Sequence, residues 1–150
     1  MISGSSRSEQ VAQMLDAIAE DARFTAGLTG RGKFSLQVME ALRNVPRDAF
    51  VPEDLRASAF QNRPLPIGNG QTISQPYIVA LMTDLLDPQP THRILEIGTG
   101  CGYQAAVLGY LVKEVYTVEI ISVLQLAAAQ RLSELGYGNI YSRLGDGNQG

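Results

Sequence analysis

A single cysteine, Cys101, and a single histidine, His92, among 150 residues remove several chemistries at once. One thiol cannot close an internal disulfide. Residues 1–10 are polar and lack the apolar core of an export signal, so a reducing compartment, the cytoplasm, is the expected location. Without further Cys or His no metal site is expected. Cys101 has no second histidine to activate it, and His92 precedes the first sheet strand, so a hydrolase built on an activated nucleophile is not indicated. Charge is sparse, at 18% of residues, with 12 basic against 15 acidic for a net −3. The basic residues are scattered from Arg7 to Arg143, which argues against nucleic acid as a partner, since neutralising several phosphates needs clustered Lys and Arg. The longest apolar runs, 105–112 and 120–129, fall short of the roughly 20 residues a bilayer span needs, so no membrane segment is expected. Internal repeats and low-complexity tracts are absent as well.

What is present suits a globular α/β chain. Hydrophobic residues make up 45%, and a domain of this length buries roughly 68 to 70% of the surface its unfolded chain exposes, enough for a core without staples. Val11, Met14, Leu15, Ile18, Ala19 and Ala22 recur at helical spacing and predict a helix over 11–22, after a loose tail and before Gly27, Gly30 and Gly32. Ser35 is a plausible N-cap for a second helix reaching Asn44, and Pro46 and Pro52 suit the first positions of short helical turns. The stretch 62–76, with Pro64, Pro66 and Pro76 around Gly68 and Gly70, reads as a loop. A third helix opens at Pro76, with Val79, Met82, Leu85 and Leu86 on one face, and ends at 87–90.

From Arg93 the pattern changes to strand (94–97), glycine turn, helix (103–112), strand (115–119), helix (122–135), Gly136 as a C-terminal cap, and strand (140–143). This alternation predicts a parallel sheet with helices on both faces, a Rossmann-like α/β fold. The expected organisation is one domain over 1–150: an N-terminal helical segment with a loop to about residue 90, then the first half of a Rossmann-like sheet. Residues 145–150 read as a turn, so the chain is expected to stop after the third strand of a larger sheet, leaving an apolar edge open to self-association. The alternative is a complete small domain that covers that edge with its N-terminal segment or a second copy.

Three acidic residues stand at the carboxyl ends of the three strands, where open α/β sheets bind ligands. Glu96 leads into Gly98-Thr99-Gly100-Cys101-Gly102, where missing side chains let a ligand approach the backbone. The dinucleotide fingerprint would need glycine at 103, where Tyr103 stands, and Glu96 would repel a pyrophosphate; a cationic sulfonium such as S-adenosylmethionine suits an acid better. Glu96 could equally cap a helix or pair with Arg93. Glu119 lies 21 residues beyond Gly98, close to the roughly 20 expected of an acid that accepts from ribose hydroxyls, though it could instead be a solvated charge at the following helix start. Asp146, in Gly145-Asp146-Gly147, could accept from an adenine amino group, or simply form an Asp-Gly turn. Ahead of the third helix, the 65–76 loop delivers Thr72 and Ser74, where hydroxyls and free amides could hold a carboxylate; alternatively, Ser74 or Gln75 caps the helix.

The sequence resembles the protein-L-isoaspartate O-methyltransferases. The resemblance rests on Val45-Pro46-Arg47, Phe50-Val51-Pro52, Leu65-Pro66-Ile67-Gly68 and Gly70-Gln71-Thr72-Ile73-Ser74-Gln75-Pro76, and covers about residue 35 to the end. It continues through Leu95-Glu96-Ile97-Gly98-Thr99-Gly100, Gly102-Tyr103-Gln104, Val115-Tyr116-Thr117-Val118-Glu119 and Gly145-Asp146-Gly147. It implies a Rossmann-like methyltransferase fold and methyl transfer from S-adenosylmethionine, leaving S-adenosylhomocysteine. The implied acceptor is the free α-carboxylate of L-isoaspartyl residues in damaged proteins and peptides, the first step of their repair. The family's active-site serine falls on Ser74. Cofactor contacts are expected at Thr72, Ser74, Glu96, Gly98, Thr99, Gly100, Gly102, Glu119, Asp146 and Gly147. Cys101 stands where the family often has serine, and the later strands of the family's sheet are missing. The alternatives are S-adenosylmethionine binding without catalysis and, disfavoured by Glu96 and Tyr103, a nicotinamide-dependent oxidoreductase.

Overall fold

The computed structural model describes residues 5–149. Helix α1 spans Arg7–Thr29, longer at both ends than the apolar stripe predicts. Its start is set by a capping box: the Ser6 hydroxyl accepts from the Glu9 N–H, and the Glu9 carboxylate accepts from the Ser6 N–H. The described part of the polar start is therefore largely helical, and Gly27 lies inside the helix; Gly30, left-handed, is what ends it. Helix α2, Leu36–Asn44, begins at the expected Ser35 cap, and 3-10 turns follow at Arg47–Phe50 and Glu53–Ser58, each entered from a proline.

The 62–76 stretch is more ordered than a loop. Strands β1, Leu65–Gly68, and β2, Gln71–Ile73, form an antiparallel hairpin turning at Asn69 and Gly70. Helix α3, Pro76–Leu86, has proline in its first turn, but its buried face is Tyr77, Val79, Ala80, Thr83 and Asp84. Met82, Leu85 and Leu86 of the predicted apolar stripe are exposed.

Strand β3, Arg93–Ile97, is followed by α4, Tyr103–Leu111, β4, Glu114–Glu119, α5, Ser122–Glu134, and β5, Ile140–Leu144. The three strands form a parallel sheet in the order β3-β4-β5. The expected helices on both faces are not seen. Ala105, Leu108 and Val112 of α4 pack on Val115 with Ile94 and Ile140, while Gln125 of α5 bonds Ser142, which sits on that same face by the register. Right-handed crossovers that step in one direction across a sheet put every helix on one side; the other side is filled only where strand order reverses. Leu95, Ile97, Tyr116 and Tyr141, on the opposite face, remain exposed, with the two tyrosine rings stacked at 5.1 Å. The main core joins α1, α2, the hairpin, α3 and α4, so the helical segment packs directly against the start of the sheet unit.

Candidate functional site

The turn after β3 needs glycine for two different reasons. Gly102, at the N-cap of α4, has φ +91°, and an added Cβ would stand 3.3 Å from Leu132, so the turn packs tightly on α5. Gly98 has φ +93°, but a Cβ there would meet open space, so it presents bare backbone where a ligand could approach. The hairpin is laid against this turn: a Cβ on Gly100 would meet Ile67 at 3.6 Å. Between them lies a cleft of about 70 Å³ lined by Thr72, Ser74, Glu96, Gly98, Thr99 and Gly100, together with Cys101, Tyr103 and Gln104. Residues separated by the whole of α3 in sequence thus share one surface.

Beneath Ser74 lies a residue that sequence reasoning did not select as functional. Arg47 is fully buried. Its Nη2–H donates to the Ser74 carbonyl and its Nε–H to the Ala59 carbonyl, both at 2.8 Å. Its guanidinium lies 4.8 Å from the Tyr103 ring, which packs edge-on against Phe50. Burial lowers the Arg47 pKa, opposed by Tyr103, and pushes Tyr103 up to about 12. Its only available signal was the Val-Pro-Arg motif itself.

The start of α3 is capped from elsewhere in the chain. Neither Ser74 nor Gln75 caps the helix with its side chain. Asn62 does so: its Oδ1 accepts from the Tyr77 N–H at 3.0 Å, while its Nδ2 donates to Asp21 of α1, which also accepts from Gln75. Pro76 has no N–H and that of Tyr77 is taken, so this helix start offers fewer free amides than expected. The Ser74 hydroxyl makes no hydrogen bond among the described residues.

At the other wall, Glu96 does not pair with Arg93; an odd spacing along a strand sends the two side chains to opposite faces. Instead the Thr117 hydroxyl donates to Glu96 Oε2 at 2.5 Å and stands 2.7 Å from the Thr99 hydroxyl. Burial pushes the Glu96 carboxyl up to about 7, with the Thr117 bond opposing and the nearby Glu119 charge reinforcing. Glu119, on the same face, is buried and accepts from the Gly100 N–H (2.8 Å) and the Ile121 N–H (2.9 Å), so it ties the glycine turn to the start of α5. Asp146 stands apart from the cleft: it is exposed and accepts from the Asn148 N–H, closing its own turn. Gly147 lies against Ile97, which belongs to the sheet's open face. The Gly145 N–H donates to the Glu119 carbonyl, so this turn adjoins the end of β4. No cluster of metal-ligating side chains occurs among the described residues, and no helix there is long and apolar enough to cross a membrane.

Comparison with known proteins agrees with this geometry. The model of the protein-L-isoaspartate(D-aspartate) O-methyltransferase family matches residues 23–150. A protein-L-isoaspartate O-methyltransferase 2 of Polaromonas is 56% identical over 137 residues, covering 91% of this chain and 65% of that protein. Its counterpart in Syntrophobacter fumaroxidans is 54% identical over 139 residues, covering 93% and 56%. The chain thus spans 56% and 65% of the lengths of these two relatives. A solved protein-L-isoaspartate O-methyltransferase superposes with a TM-score of 0.73 at 24% identity, covering 91% of this chain and 42% of the other. A beta-aspartate methyltransferase from Plasmodium falciparum, in complex with S-adenosyl-L-homocysteine, superposes with 0.64 at 19% identity, covering 85% and 61%. These likenesses agree with the Rossmann-like methyltransferase fold.

Proposed function

The chain belongs to the protein-L-isoaspartate O-methyltransferase family, and on that premise we propose that it transfers a methyl group from S-adenosylmethionine to the α-carboxylate of L-isoaspartyl residues in proteins and peptides. The observation that carries this reading is the shared cleft, in which hydroxyls from the hairpin face a glycine turn walled by acids. The fit to a sulfonium nucleoside rests on this chain's own features: open space at Gly98, a carboxyl at Glu96, and a Glu119 whose oxygens each keep a second acceptor position. Glu96, Gly98, Thr99, Gly100 and Gly102 would hold the amino acid end, Glu119 the ribose, and Asp146 with Gly147 the base. When bound, the nucleoside supplies an activated methyl group.

The chain's own task is then orientation. A carboxylate with a pKa of roughly 3.5 is already ionised at neutral pH and needs no general base. Ser74, its hydroxyl free and its backbone fixed by Arg47, donates to one carboxylate oxygen and leaves the other to attack in line, with Thr72 beside it. The lone buried Cys101 suits a reducing compartment, which we take to be the cytoplasm. A second reading, nucleoside binding without turnover, is favoured by the narrowness of the cleft, about 70 Å³. Labelled S-adenosylmethionine offered with an isoaspartyl peptide and its aspartyl isomer separates the two. Methyl incorporation into the isoaspartyl peptide alone, reduced about tenfold or more in Ser74→Ala, supports catalysis through positioning. Nucleoside binding with no incorporation supports the second reading.

A further inference from the structure

The hydrogen bonds between Thr99, Thr117 and Glu96 have a direction that follows from chemistry alone. An ionised carboxylate only accepts, so Thr117 must spend its one hydrogen on Glu96, and its lone pair must then accept from Thr99. If Glu96 gains a proton on Oε2 the order reverses: Glu96 donates to Thr117, Thr117 to Thr99, and the Thr99 hydrogen is released into the glycine turn. The chain of three groups therefore has two states that differ by one proton, and it connects the cleft wall to the cofactor turn.

We infer that this relay makes the crevice prefer a cationic sulfonium nucleoside over its neutral thioether counterpart, with Thr117 as the positioning residue that holds Glu96 ionised. The inference rests on the proposed nucleoside reading of the crevice and deepens it. Around Glu96, β4 contributes the like charge of Glu119, and α4 contributes Cys101 and Tyr103, both kept protonated by burial. Arg47 lies behind Tyr103, Arg131 of α5 is engaged on the Cys101 carbonyl, and the hairpin offers only neutral hydroxyls. The charge-assisted bond from Thr117 is the one printed interaction that favours the ionised form, against burial and Glu119 together. Methyl loss would turn the ligand neutral and remove its hold on the ionised relay, favouring exchange of spent nucleoside for fresh.

Calorimetric binding of S-adenosylmethionine and S-adenosylhomocysteine to the whole chain, across about pH 6 to 8 in buffers of differing ionisation heat, tests this. In the wild type the preference for the sulfonium should grow as pH rises through about 7, with proton release on binding below that point. Thr117→Val should move this transition upward and cut the preference at neutral pH roughly tenfold, leaving homocysteine binding within about twofold; Thr117→Ser should restore the wild-type profile. Should Thr117→Val not fold, Thr99→Val breaks the relay from its outer end and should shift the transition in the same direction. Glu96→Gln should give one preference at every pH. An unchanged transition in the valine variants, or a pH-dependent preference in Glu96→Gln, overturns the relay. If the wild type binds neither nucleoside, the reading of the crevice fails, and the relay with it.

Discussion

The floor of the cleft and its outer wall bury opposite charges and treat them differently. Under the hairpin, Arg47 lies out of water with two backbone carbonyls as acceptors and an aromatic face, but no carboxylate. At the wall, Glu96 has one hydroxyl donor and a second acid nearby. A guanidinium is hard to deprotonate, so the cost of burying it is met by carbonyls and ring electrons, and the group acts as a structural clamp. A carboxyl can instead take up a proton, so the same pressure leaves it poised between two states near neutral pH. The difference separates a rigid side of the cleft from a switchable one.

The largest expected effect breaks the rigid side. Arg47→Ala should lower unfolding free energy by about 3 to 4 kcal/mol in chemical denaturation, because it empties space in the core and strands the Ala59 and Ser74 carbonyls. Arg47→Met, which keeps the packing but not the bonds, should lose about half as much. A methionine variant as stable as the wild type would show that the clamp contributes nothing beyond volume.

The switchable side sharpens the contrast through the sign of its pH dependence. Folded Glu96 holds its proton to about pH 7, against 4.5 ordinarily, so between these values the folded state binds more protons than the unfolded one. This group's share of stability is therefore complete below 4.5 and declines as pH rises through 7. Glu96→Gln, which cannot ionise, should leave stability near pH 5 little changed and raise it by about 2 kcal/mol near pH 8. Equal stability of variant and wild type across thermal scans at both pH values would contradict the unpaired burial of Glu96.

Much of this arrangement was legible in the sequence where local rules decide it. The strand and helix alternation after Arg93, the Ser35 cap and the proline-led turns follow from spacing, cap chemistry and fixed proline φ. The Ser6 and Glu9 capping box was also there to be read, but polar composition made the segment resemble a tail. The hairpin escaped because its strands have only four and three residues, too short for a period to show. The two-sided sheet failed because handedness fixes the side of each crossover only once the strand order is known. Arg47 and Thr117 were invisible as functional groups for a nonlocal reason: nothing near Arg47 in sequence announces Ser74, and Thr117 meets Glu96 only through the register of β3 on β4.

An exposed, compensated pair provides the smallest effect and the control for both buried charges. Arg7 on α1 grips Asp48 with two bonds, Nε–H to Oδ2 at 3.0 Å and Nη2–H to Oδ1 at 2.9 Å, while its guanidinium lies 5.4 Å from the Phe60 ring. Arg7 holds the Asp48 carboxyl below its ordinary value of 3.8, so the pair's contribution is present above that value and disappears as pH falls through the depressed pKa. Solvent screens both groups, and Arg7→Ala should therefore cost only about 0.5 kcal/mol at neutral pH, less in high salt. A double-mutant cycle with Asp48→Asn isolates the coupling. If that coupling matched the loss in Arg47→Ala, or ignored salt, burial would not be what distinguishes the clamp and the switch from an ordinary ion pair.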